Sequence, residues 1–187
     1  MSRDDKERRR AEIVAHVPDW YRPWLHLAIP SIIGAVVAGA ALSRLHALSA
    51  LDLLAVPVTL FASFGFEWRV HKYVLHRRFW PFEVIYDKHT PMHHMIYVEG
   101  DMALRSAKEV RLVAIPAAGV LGIVIATTPF ALLVSYLWSR PAGWLFLLTA
   151  AFTLVSYELL HLSYHAPKTS AMRAMNGAFS KKTRRMA

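Results

Sequence analysis

The chain has 187 residues, 55% of them apolar and 19% charged, with a mean hydropathy of +0.30, too oily and too lightly charged for a disordered segment or an ordinary soluble domain. Its formal charge of +9, from 22 Lys plus Arg against 13 Asp plus Glu, cannot sit in apolar segments and so belongs to the connections. The absence of cysteine excludes disulfides, thiolate zinc, iron-sulfur clusters, c-type haem attachment and thiolate-ligated haem, which leaves histidine and carboxylate as metal donors.

Residues 1–24 begin MSRDDKERRR, lack the apolar run of a secretory signal, and are expected to form a solvated, basic, cytosolic arm. A first membrane crossing is predicted over 25–42, which holds no Asp, Glu, Lys or Arg; at about 1.5 Å per residue it nearly spans a hydrocarbon core of about 30 Å. A second is predicted over 51–68, with Asp52 and Glu67 near its ends. The uncharged stretch 112–138 is long for one crossing and too short for two with a turn, so a single crossing bent at Pro116 and Pro129 is expected. A fourth crossing is predicted over 142–160, interrupted only by Glu158. Residues 168–187 form a basic tail that includes Lys181, Lys182, Arg184 and Arg185, suited to anionic headgroups.

Four crossings put both termini on one side, and the basic residues test that topology. The N-terminal arm carries six, the 69–111 loop eight and the tail six, against one in each outer turn, Arg44 and Arg140. Lys and Arg accumulate in cytoplasmic loops. The expected architecture is therefore an all-α, multi-pass integral membrane protein, with four transmembrane helices in two hairpins and a cytosolic, histidine-rich helical cap. The same topology accounts for the positive charge without a nucleic-acid partner.

Seven of the ten histidines lie in three short clusters on the predicted cytosolic side: His71 and His76 in HKYVLH, His89, His93 and His94 in HTPMHH, and His161 and His165 in HLSYH. His161 and His165 fall about 40° apart on one helix face, suited to chelation. His71 and His76 would be about 140° apart on a straight helix, which suits serving two metals or flanking a cluster better than chelating one ion. Thr90 and Pro91 read as an N-cap and first helical residue, placing His93 and His94 in an opening turn whose dipole keeps imidazole neutral, with His89 approaching from the preceding loop. Glu67 is four residues before His71 and Glu158 three before His161, positions from which a carboxylate can fix the tautomer of a metal-bound ring. Isolated histidines His16, His26 and His46 read as surface or interfacial residues. Trp20, Tyr21, Trp24, Trp68, Trp138 and Trp144 read as an interface belt.

In order, spacing and position against the crossings, HKYVLH, HTPMHH and YELLHLSYH resemble the histidine boxes of the membrane fatty acid hydroxylase and sterol desaturase superfamily, over about residues 25–167. The resemblance implies an oxidoreductase with two iron ions, for which zinc is a substitute, held by His71, His76, His89, His93, His94, His161 and His165. It implies use of O2 and external electrons to hydroxylate or desaturate a lipid C-H bond. The substrate would be an acyl chain, sterol or carotenoid in the bilayer, and the electron donor a cytochrome b5-like or ferredoxin-like protein. Family members usually carry a last HxxHH box, whereas residues 166–187 contain no histidine. Truncation, frameshift or true loss would each account for this, and seven donors meet only the lower end of what two metals need. The chain as written is thus expected to bind metal poorly and turn over little. The alternative is a catalytically inactive or truncated membrane scaffold of the same family. A weaker alternative, a bis-histidine b-haem carrier, needs rings paired across facing helices in the membrane; the main reading has no haem.

Overall fold

A computed structural model describes residues 3–167, and every regular element among them is helical. The tail 168–187 and the expected gap in the last histidine box lie outside the described residues. In chain order the α-helices are α1 (Arg3–Ala15), α2 (Pro23–Leu42), α3 (Ala55–Val70), α4 (Glu83–Lys88), α5 (Val110–Val113), α6 (Ala117–Leu137) and α7 (Arg140–His165). A 3₁₀ turn (Asp52–Leu54) leads into α3, and another (Ala107–Glu109) into α5. Two π-helical turns, His71–Leu75 and His89–His94, follow α3 and α4.

Four helical stretches are long and apolar enough to cross a membrane: Pro23–Leu42, Asp52–Leu75, Ala107–Leu137 and Arg140–His165. Each overlaps a predicted crossing, and the second and fourth run on into the histidine motifs. Their surfaces are apolar and open, as with Phe61 at 78%, Tyr136 at 86% and Phe152 at 67% exposed, the condition of helices whose outer faces meet lipid rather than water.

The third stretch differs from the bent crossing expected of it. Pro116 divides it instead of bending it: Ala114 (ψ 145°) and Pro116 (ψ 151°) are extended, and α5 and α6 are separate helices. Proline has no N–H for the carbonyl four residues back and crowds the preceding backbone out of the α region. Pro129, by contrast, is accommodated inside α6. The 21 residues of α6 measure about 32 Å at the α-helical rise, long enough for a single crossing without excess length.

The chain divides into two compact units. One contains Leu25–Tyr73 and Ile115–Glu158; the other contains the residues up to Trp24, Val74–Ala114 and those from Leu159 on. Within the first, Ala55, Ala142 and Leu145 form a small core with Val56, Val134 and Leu148. Small residues allow close approach. A Cβ on Gly34 would stand 2.4 Å from Val155 Cγ2, and one on Gly143 would stand 2.7 Å from the Ala131 carbonyl oxygen. Asp52 is buried, accepting hydrogen bonds from the Ser49 amide and hydroxyl at 2.8 Å each and from the Ser139 hydroxyl.

The second unit is built around Ile13, Ile96, Tyr97 and Val113, and here the expected solvated arm is corrected. Residues 3–15 form a packed helix with Arg10 4% and Ile13 9% exposed. Its charges meet charges of the 101–109 segment: Lys6 pairs with Asp101, Glu7 with Arg105, and Arg10 with Glu109. A composition that signals solvation when each charge is counted alone becomes compatible with packing once opposite charges meet.

Candidate metal centre

The second unit brings six of the seven candidate histidines into two adjacent groups. In one, the ligand nitrogens of His93, His161 and His165 lie within 4.8 Å of one another, with ring centroids separated by 5.0 to 5.3 Å. In the other, His76, His89 and His94 meet the same 4.8 Å limit, with centroids 4.6 to 5.3 Å apart. His93 and His94 are consecutive, 5.3 Å apart centroid to centroid, yet each joins a different group. His89 also stacks on His93 at 5.5 Å. His71 is half-buried and opens the π turn ahead of His76, within the other unit.

Local structure explains these placements. His161 and His165 lie in the last turns of α7 and share a face, as i, i+4 spacing dictates. The middle motif departs from expectation. Thr90 and Pro91 do not begin a helix: the π turn His89–His94 directly continues α4, so His89 is helical and the opening-turn dipole does not act on His93 and His94. Pro91 cannot donate to Asp87, and winding with i→i+5 bonds accommodates that gap. The wider turn brings positions five apart to one side, and His89 Nε2 and His94 Nε2 stand 3.0 Å apart. The straight-helix separation expected for His71 and His76 likewise does not apply, because His71–Leu75 is π-helical. The Thr90 hydroxyl, rather than capping, donates to the Leu75 carbonyl at 2.7 Å.

Backbone carbonyls orient the first group. His93 Nδ1 is 3.1 Å from the Leu112 carbonyl oxygen, and His165 Nδ1 is 2.8 Å from that of Met102. A carbonyl only accepts, so both Nδ1 atoms carry the proton and the lone pair of each neutral ring is on Nε2. Leu112 is four residues before Pro116, whose missing N–H leaves that carbonyl without its helical donor. The helix break therefore supplies the acceptor for His93.

Glu158 takes a backbone partner in place of the histidine expected of it. Glu158 Oε1 accepts the Ile115 N–H at 2.6 Å, satisfying a donor exposed by the same break, while Oε2 is buried without a hydrogen-bond partner among the described residues. Glu67 lies half-buried in α3. Sequence reasoning missed Tyr97, whose ring is 4.6 Å from His165 and 5.2 Å from His93. Its position four residues after His93 was the available signal. The Tyr97 hydroxyl donates to Glu109 at 2.9 Å; burial, then the Glu109 charge, pushes the phenol far above its usual range, so it remains a donor. His16 and His46 are exposed and His26 is half-buried.

The donor set fits a metal. Imidazole nitrogens bound at about 2.0–2.1 Å stand about 3 Å apart at right angles, close to the separation of His89 and His94. Second-partner bonds at His93 and His165 match the outer contacts that orient metal-bound histidine. No family model, curated protein or solved structure matches the chain.

Proposed function

We propose that this chain is a multi-pass membrane oxidoreductase that uses a histidine-bound pair of iron ions and O2 to hydroxylate or desaturate a C-H bond of a lipid. The observation that carries the reading is the pair of neighbouring histidine groups divided between His93 and His94. Imidazole suits iron, and zinc is the expected substitute. His93, His161 and His165 would hold one ion and His76, His89 and His94 the other. His71, which opens the π turn just ahead of His76, is the seventh candidate ligand.

When bound, the ions supply the activation of O2 that no side chain provides. The protein's own contribution is orientation: Leu112 and Met102 hold the rings of His93 and His165, and burial of these rings excludes water. Ring centroids about 5 Å apart suit an ion between side chains, and not the plane of a haem.

In this reading the crossings form two hairpins, and both termini and the histidines are cytosolic. Clustering of His161 and His165 with His93 supports one crossing through α6, since a second would carry the last two rings to the opposite face. His161 and His165 end a helix apolar enough to span the membrane, which supports an acyl, sterol or carotenoid substrate from the bilayer. The basic connections suit an acidic cytochrome b5-like or ferredoxin-like donor.

The test is metal analysis of the full chain in nanodiscs, paired with lipid profiling of cells with and without the gene. Two weakly held equivalents of iron, since seven donors meet only the lower end of what two metals need, and a small change in the hydroxylated or desaturated lipid pool are expected. Metal with an unchanged lipid pool would favour the inactive scaffold, and a Soret band would sink the dimetal reading.

A further inference from the structure

We infer that the N-terminal helix α1 is part of the metal site, with Arg10 as the positioning residue that holds Tyr97, and through it His93 and His165, in place. This rests on the metal-binding reading above and adds a component that carries no ligand.

Arg10 Nε donates to Glu109 Oε2 at 3.1 Å, and Nη2 donates to the same oxygen and to the Ala103 carbonyl at 2.7 Å. The side chains of Arg10 and Glu109 are 4% and 3% exposed. The Tyr97 hydroxyl donates to the same Oε2 at 2.9 Å, and the Arg105 amide does so at 3.3 Å. Arg10 Cζ also lies 5.3 Å from the Tyr97 ring centroid, within cation-π range. Arg10 thus reaches Tyr97 by both its ring and its hydroxyl.

The inner side of Tyr97 contacts histidine, edge-on to His165 at 4.6 Å and tilted against His93 at 5.2 Å. Ile96 and His165 are both wholly buried, so this region is packed on all sides. Without Arg10, Glu109 would be a buried charge lacking its cation, an arrangement that rearranges or takes up water. Tyr97 would then lose its acceptor. Tyr97 contacts two rings of the His93 group, so the dependence falls on that group.

The experiment uses full-length protein in nanodiscs, titrated with Co2+ and followed by its visible absorption. Wild type is expected to bind two equivalents. Arg10→Met should weaken one by about 10- to 100-fold, the range for defects outside the ligand shell, and leave the other unchanged, with helicity by circular dichroism retained. Tyr97→Phe keeps the ring, removes only the hydroxyl, and should weaken the same equivalent to a smaller degree. It also serves if Arg10→Met fails to fold. Two wild-type-like equivalents in the folded variants, or equal weakening of both, overturns the inference and leaves the metal reading standing. A wild type that binds no cobalt overturns both.

Discussion

The two histidine groups have the same chemistry but opposite surroundings. His93 and His165 are 5% and 0% exposed, with Nδ1 of each bonded to a backbone carbonyl. His76 and His94 are exposed, and His89 is half-buried. An outer contact in that group, from the Thr90 hydroxyl to His76 Nδ1, is longer at 3.5 Å. A buried ring on a fixed acceptor loses little freedom when it meets a metal, whereas an exposed ring must first be ordered. On the metal reading, the first group would be a prepared site, and the second would depend more on the metal to organise it.

The largest expected effect comes from removing a ring on each side of that divide. His165→Ala should abolish one equivalent of metal, weakening it more than 100-fold, and also cost roughly 1–3 kcal/mol of stability by leaving the Met102 carbonyl unsatisfied. His94→Ala should weaken the other equivalent with little change in stability. Metal content and thermal melting of the two variants test the contrast, and equal melting losses would remove the distinction. Variants at His46, which is exposed and outside both groups, should retain wild-type metal content.

Stripping metal probes the same contrast without mutation. A chelator should remove metal in two phases at least about 10-fold apart in rate, the faster from the exposed group. The order is checked by repeating the titration in His94→Ala, where only the slow phase should remain. Smaller still is Pro116→Ala. The new N–H competes for the Leu112 carbonyl, so the affinity of the His93 group should fall by about 10-fold and that of the other group not at all.

The smallest effect acts through α1. The hydrogen bond from Lys6, opposed by burial and assisted by Arg105, holds the Asp101 carboxyl below its usual range. A lowered folded-state value means the stabilisation is complete above the unfolded-state value of about 3.9 and is lost as pH falls through the folded-state value. Asp101→Asn should therefore be less stable than wild type by under about 1 kcal/mol at neutral pH, with the gap closing below about pH 4. Denaturation measured across that range checks the sign. A gap that widens in acid would contradict the role given to Lys6.

Features that depend on periodicity are written in this sequence more plainly than those that depend on a single residue or a distant partner. Uncharged runs indicated four long helices, and HLSYH indicated a chelating pair on one face of α7, because both depend on periodicity. Thr90 and Pro91 misled, since their cap-like chemistry also fits a helix that widens and continues. Glu158 was near enough to serve a histidine, but the broken helix at Pro116 exposes the Ile115 amide, which takes its carboxylate. Burial of Arg10 has no local signal, because its partner Glu109 is 99 residues away.

The π-helical winding of HTPMHH also bears on tolerance to insertions and deletions. Such a turn holds one residue more than an α-helical turn, so removing Met92 would return the stretch to α winding with Ile96 and Tyr97 still facing inward. Removing Ser163 from the regular end of α7 would instead rotate His165 by about 100°, away from the Met102 carbonyl. Length can change in one histidine motif and not in the other, even though both supply the same group.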